Sequence, residues 1–568
     1  MKIFSVDNLL LRNVPESGTN YKKNLPLIFL VLFLILNTLK IMLFDVFITS
    51  SISVGLLLYK LLFTLVFVFA AYLIIIKVKF RFVIILFYII QFVYLFANLA
   101  YYTYFHNYLH LMISPVLFTE SLNAVTHFSI PKDPRLLITF LDLPVFIYLI
   151  YQYKKVRLLS PAFKLHRRIA IVLCLVVVLF AEGIGAIGGD STNKLIKSYD
   201  NGGETKLVHR YGTLFNSIVN AIERQVGKDA GDRFKYGKTV TCATQANQKP
   251  NIVVIQVESM DSNVINQKYK GKYIAPYLHS LSENSIYYPY TLSYHRAGGT
   301  SDCEFSIINS VEPLDDFPSM KIDNYNFPNS IVNKLKNSSY NTFAFHGNAG
   351  SFYNRDKAFP KMGFKDYFDI DKMKLENKGW GAPDNELFDF SESKIKDEQK
   401  PFFNYIITMT SHGPFKNVLN YYKNDSYDSI DDDLVRNYFT SMSFVDQSIE
   451  KFITEVKASN PNTFFFIWGD HTPSIERDEY MQASVITDDK YFEYVPLIIL
   501  TPDNKVYKET QSVASFLDIG PTILYASGVP FQIRTDGENL LDGINQGQPL
   551  IFKNARYDRK VLFKEIAK

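Results

Sequence analysis

Cysteine is scarce: three in 568 residues cannot build a disulfide framework. Cys174 lies in an apolar run, whereas Cys242 and Cys303 fall in the later, polar part, where a single bond between them stays open. Net charge is also nearly absent. The 60 Lys and Arg against 56 Asp and Glu leave +4 at pH 7, without the basic excess that marks a nucleic-acid partner. The chain holds neither internal repeats nor low-complexity tracts. Apolar residues are abundant, at 48% hydrophobic and 15% aromatic, which excludes intrinsic disorder. They crowd into the first third as runs that no soluble domain would expose, so a wholly soluble protein is excluded as well.

A bilayer-spanning helix needs about 20 predominantly apolar residues. Five segments come close: Pro26 to Ile48, Ser51 to Ile76, Phe82 to Phe105, Leu136 to Tyr153 and Ile169 to Ile187. Lys and Arg collect in cytoplasmic loops. Lys22 and Lys23 precede the first span, Lys77, Lys79 and Arg81 follow the second, and Lys154, Lys155, Arg157, Lys164, Arg167 and Arg168 follow the fourth. Five crossings of the cell membrane from a cytoplasmic N-terminus put everything after about residue 190 outside the cytoplasm. Lys60, Asp142 and Glu182 lie within spans, where ionisable groups are functional candidates. The plainer expectation is that Lys60 snorkels and the two acids sit near interfaces. His106 to Arg135 suits short interfacial helices.

Residues 190–249 form a linker that is expected to lie on the following domain, with one helical stretch around Tyr211 to Arg224. From Asn251, short apolar runs alternate with longer mixed segments, the pattern of an α/β domain with a central, mostly parallel sheet. The division is thus a transmembrane domain at 1–189, a linker at 190–249 and an extracytoplasmic α/β domain at 250–568. Strand candidates are Ile252 to Val257, Thr342 to Phe345, Phe402 to Met409, Thr463 to Trp468 and Val495 to Leu500. Open α/β sheets bind ligands beyond the carboxyl ends of their strands. Four of these strands run into Glu258, His346, His412, and Asp470 with His471. Carboxylates and imidazoles without thiolates suit Mn²⁺, Zn²⁺ or Mg²⁺, and the mixture leaves the choice between the first two open.

Gly298-Gly299-Thr300-Ser301-Asp302-Cys303-Glu304 supplies a nucleophile. Ser301 and Glu304 have capping-box spacing, so a helix should begin with Thr300 at its amino end, where backbone amides favour anions. A Thr hydroxyl activated by a cation can attack phosphorus and form a covalent phospho-enzyme. Arg355, in Phe352-Tyr353-Asn354-Arg355-Asp356, could grip phosphate oxygens in bidentate fashion, or pair with a nearby Asp. His412, on the turn Ser411-His412-Gly413-Pro414, could steady a phosphoryl oxygen or leaving alkoxide, or cap a helix.

Val257-Glu258-Ser259-Met260, Gly299-Thr300-Ser301-Asp302, Phe345-His346-Gly347-Asn348, Phe352-Tyr353-Asn354-Arg355-Asp356 and Trp468-Gly469-Asp470-His471 resemble, in order, the motifs of the lipoteichoic acid synthase family. These are membrane phosphoglycerol transferases of the sulfatase and alkaline-phosphatase superfamily. The resemblance implies a sulfatase-like extracytoplasmic domain behind five spans, with Glu258, Thr300, Asp470 and His471 as metal positions and Mn²⁺ as the usual ion. It makes Thr300 the nucleophile that takes glycerol phosphate from phosphatidylglycerol or a related phospholipid, for delivery to an envelope glycan or polyglycerolphosphate acceptor. His346, Phe352, Tyr353, Arg355 and His412 match the glycerol-phosphate pocket, although the family often has Trp at the Tyr353 position. Asp518, in Phe516-Leu517-Asp518-Ile519-Gly520-Pro521-Thr522, belongs to a structural superfamily segment. Two other readings compete, a phosphoethanolamine transferase of the same layout and a non-catalytic membrane scaffold. A true sulfatase is disfavoured because Cys303 lacks the C-x-P-x-R setting.

Overall fold

The computed structural model describes residues 18–49, 54–77, 82–105, 134–140, 142–143, 147, 203–223, 237–243, 248–294, 298–314, 318–322, 325–473, 475, 480–487, 490–545, 547–553 and 555–567. The chain divides into two compact units, with the later break between Arg224 and Gln225.

The first unit contains helices α1 (Gly18–Thr49), α2 (Val54–Lys77) and α3 (Phe82–Phe105), which cover the first three expected spans. Among the described residues one stretch, Leu30–Phe47, is long and apolar enough to cross a membrane, and Tyr59–Tyr72 and Ile85–Leu99 are shorter apolar stretches. A 3₁₀ helix at Pro134–Phe140 opens the expected fourth span. The rest of that span, apart from isolated residues, lies outside the described residues, as do the fifth span, Glu182 and nearly all of His106 to Arg135. Lys60 does not snorkel, because it is buried. Asp142 is also enclosed, and its Oδ1 accepts from Lys40 Nζ at 2.7 Å, which partners one buried charge with another.

Part of the expected linker belongs to this unit as well. Helices α4 (Gly203–Tyr211) and α5 (Thr213–Glu223) are amphipathic. Leu207, Tyr211 and Val219 pack on Phe63, and Val208 packs on Phe44, Leu95 and Leu99. Asp45 Oδ1 accepts from the Thr213 amide and hydroxyl at 3.0 and 2.7 Å. Apolar burial therefore binds this stretch to α1–α3, in place of the following domain.

The second unit is built on a ten-stranded mixed sheet. Five strands are parallel: β2 (Asn251–Val257), β4 (Asn341–His346), β5 (Asp366–Phe368), β6 (Phe402–Ile407) and β7 (Thr463–Gly469), in spatial order β5-β4-β6-β2-β7. Ile252 lies opposite Phe403 on one side and Phe464 on the other. Both faces of β2 are covered: Ile252 and Val254 enter one apolar cluster and Val253, Ile255 and Val257 the other. That explains its unbroken apolar run. Beyond β7 a single strand is reversed: β9 (Lys490–Leu500) is antiparallel to β7 and to β3 (Ile286–Leu292), so β3 runs the same way as β7. The β9–β3 register shifts between Val495 and Leu497, at Pro496, which has no N–H for a ladder bond. β8 (Ser484–Thr487), β10 (Tyr507–Lys508) and β11 (Ala514–Ser515) complete the edge. All five expected strands are present and the sheet is mostly parallel as expected, with β9 the one strand that runs against the other nine.

β1 (Lys238–Cys242) pairs with β12 (Phe531–Thr535), setting Cys242 opposite Phe531. Cys303 is buried elsewhere, and both thiols are free, so the open Cys242–Cys303 bond is absent. Helices cover both faces, including α6 (Pro276–Asn284), α7 (Thr300–Asn309), α8 (Ile331–Asn337), α9 (Arg355–Met362), α10 (Asp384–Ile395), α11 (Asp433–Ser459), α12 (Phe516–Ser527) and α13 (Arg559–Ile566). Asp518 is structural: it caps α12 through the Ser515 amide at 2.8 Å and pairs with the buried Arg559 at 2.8 Å.

Candidate active site

The carboxyl ends of β2 and β7 are neighbours in the sheet, and they deliver Glu258 and Asp470 side by side. Gly469 makes the approach possible, since a Cβ there would lie 1.7 Å from the Met260 carbonyl oxygen. Asp470 Oδ1 accepts from the Ser259 and His471 amides at 2.7 and 2.8 Å. Its Oδ2 is buried without a hydrogen-bond partner. His471 Nδ1 faces the Thr472 carbonyl at 3.0 Å, so Nε2 turns inward, 3.3 Å from Glu258 Oε1 and 3.6 Å from Asp470 Oδ2. Glu258 is held through its amide by Thr408 Oγ1 at 2.9 Å and through its carbonyl by Ser411 Oγ at 2.5 Å.

Thr300 arrives from across the rim. Its Oγ1 donates to Glu258 Oε2 at 3.2 Å, at the first position of α7. Gly299 precedes it at φ 49° and ψ −129°, a conformation that suits glycine. The expected capping box does not form. Ser301 Oγ bonds to the Gly298 carbonyl, no side chain caps the helix, and Asp302 accepts from the Gly298 and Ser319 amides at 2.8 and 3.1 Å, tying the segment before the helix to a later one. Glu304 is drawn away by Arg355, whose Nε donates to both its oxygens at 3.1 and 2.9 Å and whose Nη2 donates at 2.5 Å. Both side chains are almost fully buried. The bidentate fork expected on a phosphate is therefore closed on Glu304, and Nη1 holds the Phe352 carbonyl at 3.2 Å.

Charge explains why this centre suits a cation. Burial and then Glu258 push the Asp470 carboxyl far above the usual range. Burial also opposes ionisation of Glu258, but the charges of His471 and then His412 outweigh it and hold Glu258 low. Burial opposes protonation of His471, yet Asp470 and Glu258 raise it well above a normal imidazole. Two enclosed acids thus share one imidazolium, which stabilises the Glu258 carboxylate, while Asp470 is left without a full counter-charge. The ligand atoms of Glu258, Asp470 and His471 lie within 4.8 Å of one another, and with the unsatisfied Asp470 Oδ2 they fit a divalent ion.

The other expected residues surround this centre. His346, at the end of β4, is buried, with Nδ1 3.4 Å from the Ile407 carbonyl. His412 Nδ1 lies 2.8 Å from the Gly413 carbonyl. Phe352 and Tyr353 meet edge to face at 5.0 Å, and Lys321 Nζ lies 6.0 Å from the centre of the Tyr353 ring. Two neighbours were absent from the sequence-derived set. Trp380 stacks on His412, and Asp384 accepts from the Met409 and Thr410 amides at 2.7 and 3.1 Å. Gly379-Trp380-Gly381-Ala382-Pro383-Asp384 was the available signal, a tryptophan between two glycines in a chain with only two tryptophans.

A hydroxyl at a helix amino terminus, beside two carboxylates and an imidazole on the rim of a parallel sheet, defines a sulfatase-type centre for phosphoryl or sulfuryl chemistry. The sulfatase family model matches residues 250–529, and the lipoteichoic acid synthase N-terminal domain model matches residues 12–227. The chain is 25% identical to lipoteichoic acid synthase 2 of Bacillus subtilis over 467 residues, 77% of this chain and 70% of that one. It is 26% identical to lipoteichoic acid synthase of Staphylococcus saprophyticus over 468 residues, 77% of this chain and 71% of that one. The integral membrane lipooligosaccharide phosphoethanolamine transferase A of Neisseria meningitidis shares the fold, with a TM-score of 0.53 at 13% identity over 88% of this chain and 95% of that chain. This chain belongs to the lipoteichoic acid synthase family of the sulfatase and alkaline-phosphatase superfamily.

Proposed function

We propose that the protein is a membrane-bound phosphoglycerol transferase, which moves glycerol phosphate from phosphatidylglycerol to an envelope glycan or a polyglycerolphosphate chain. The observation that carries this reading is the Thr300 hydroxyl, 3.2 Å from a Glu258 oxygen in a cluster that also holds Asp470 and His471. Glu258, Asp470, His471 and the Thr300 oxygen would hold Mn²⁺, with Zn²⁺ or Mg²⁺ as alternatives. When bound, the ion supplies Lewis acidity that lowers the pKa of the Thr300 hydroxyl.

Thr300 Oγ1 gives its proton to Glu258 Oε2, to which it already donates, and attacks the donor phosphorus; the bond from phosphorus to the diacylglycerol oxygen breaks, and glycerol phosphate remains on Thr300. His412 in its imidazolium form gives the departing oxygen the Nε2 proton and then takes one from the acceptor hydroxyl, which attacks the same phosphorus and frees Thr300, whose oxygen recovers its proton from Glu258. His346, Phe352 and Tyr353 enclose the headgroup, and Arg355 braces them from behind. Membrane helices suit a lipid donor, with the catalytic domain on the extracytoplasmic side.

Full-length protein incubated with Mn²⁺ and phosphatidylglycerol should gain a glycerol-phosphate adduct on the peptide containing Thr300. Thr300→Ala should carry no adduct and show background turnover while remaining folded. An ethanolamine-phosphate adduct, formed only from phosphatidylethanolamine, would reassign the donor. Turnover retained by Thr300→Ala would remove the covalent mechanism.

A further inference from the structure

His412 and Trp380 come from separate loops, yet their rings stack with centroids 4.6 Å apart and planes at 27°. Phe352 meets Trp380 edge to face at 5.8 Å and Tyr353 at 5.0 Å. A Cβ on Gly299 would lie 3.7 Å from Tyr353 Oη. The ring series therefore runs from His412 to the residue before the nucleophile.

The loop that carries Trp380 is firmly built. Gly379 has φ +148°, and a Cβ on Gly381 would lie 2.6 Å from the Gly347 carbonyl oxygen, so neither position accepts a side chain without strain. The Ala382 amide donates to that same carbonyl at 2.8 Å. Asp384 then ties this loop to the one bearing His412, by accepting from Met409 and Thr410 while its own amide donates to Thr410 Oγ1 at 3.1 Å. Trp380 and His412 are each 8% exposed.

Because a carbonyl only accepts, the contact with Gly413 assigns the His412 proton to Nδ1 in the neutral ring and leaves Nε2 as the basic nitrogen. The terminal torsion of an imidazole is broad, and a contact across the whole ring face restrains its plane more than a hydrogen bond at one edge. A flat indole against the ring face removes that freedom. We infer that Trp380 is a positioning residue for His412: its indole fixes the imidazole plane so that Nε2 meets the departing and entering oxygens of the transfer. This inference rests on the proposed phosphoglycerol transfer and adds a residue that acts through the histidine. Misplacing a reacting group by about 1 Å costs on the order of a hundredfold in rate.

The test is a double-mutant cycle on full-length protein with Mn²⁺ and phosphatidylglycerol, comparing wild type, Trp380→Ala, His412→Ala and the double variant, with Trp380→Phe as rescue. Trp380→Ala should lower kcat by about 10- to 100-fold with KM changed less than about threefold. Trp380→Phe should recover most of that rate, and the double variant should be no slower than His412→Ala. Losses that multiply, or a loss carried by KM, would overturn the inference. Fluorescence of the remaining Trp468 reports folding, and if Trp380→Ala does not fold, Trp380→Leu takes its place in the same cycle. A wild type that uses only phosphatidylethanolamine would overturn the donor reading separately, and the cycle is then run on that lipid.

Discussion

Arg355 and Glu304 separate two roles that an arginine can play beside a phosphate pocket. In the structure Nε and Nη2 bond to Glu304, with side-chain exposures of 1% and 0%. Removing one partner strands a buried charge, which costs about 3–5 kcal/mol, whereas replacing both with apolar side chains is often near neutral. Glu304→Met and Arg355→Met should each destabilise the sulfatase-like domain by that amount, and Glu304→Met/Arg355→Met should recover most of it. Trp380 and Trp468 are the only tryptophans of the chain and both lie in this domain, so urea unfolding of the full-length protein followed by tryptophan fluorescence reports it selectively. With a slope of about 3 kcal/mol per molar urea, each single substitution should lower the midpoint by about 1 M or somewhat more. Substrate kinetics complete the argument. An arginine that gripped the phosphate would contribute a charged hydrogen bond of about 1.5–3 kcal/mol, and its loss would raise KM by roughly 10- to 150-fold. The double variant should instead keep KM for phosphatidylglycerol within about threefold. A double variant that regains stability but loses KM thirtyfold would refute the internal-brace reading and return Arg355 to the substrate.

Asp446 accepts from the Leu278 amide at 2.7 Å and the Tyr277 amide at 3.1 Å, and burial pushes its carboxyl up to about 7. Because the folded pKa lies above the unfolded one, the unfolded chain ionises first and stability falls as pH rises from about 4 to 7. Wild type should therefore lose urea stability relative to Asp446→Asn between pH 5 and pH 8, and a gap that moves the other way would refute the assignment. Removing divalent ions with EDTA should abolish transfer, and Mn²⁺ at about 100 times its dissociation constant should restore it and add about 2.7 kcal/mol of stability. Asp470→Asn should lose both responses, as measured by urea midpoints with and without the ion. In the first unit, Lys40→Met should leave Asp142 buried and unpaired at a cost of about 3–5 kcal/mol, while Lys40→Met/Asp142→Met should be milder. Far-ultraviolet circular dichroism melting in detergent checks the order.

The candidate metal cluster was legible because two regularities coincide. Buried parallel strands appear as short apolar runs, and an open sheet brings their carboxyl ends to one rim, so Glu258, Asp470 and His471 could be placed together from strand ends alone. Strand direction leaves no comparable mark: Lys490–Leu500 has the composition of its parallel neighbours and runs against them. Ile286–Leu292 escaped notice because Pro289 and three tyrosines interrupt its apolar pattern. Trp380 bears no titratable group to mark it, and its contact with His412 joins positions 32 residues apart by chain number.

The Ser301–Glu304 spacing shows why a local rule can be satisfied on paper and fail in the fold. A helix cap contributes about 1 kcal/mol. Arg355 is enclosed 51 residues away, and without a carboxylate beside it the domain would carry a buried charge costing several times as much. Only Glu304 reaches it among the described residues, so the larger energy takes the carboxylate and the helix is left without a side-chain cap. The same competition shapes the substrate side. With Nε and Nη2 on Glu304 and Nη1 on the Phe352 carbonyl, Arg355 sets the turn that carries Phe352 and Tyr353, and the series of rings from Tyr353 to His412 rests on a buried ion pair.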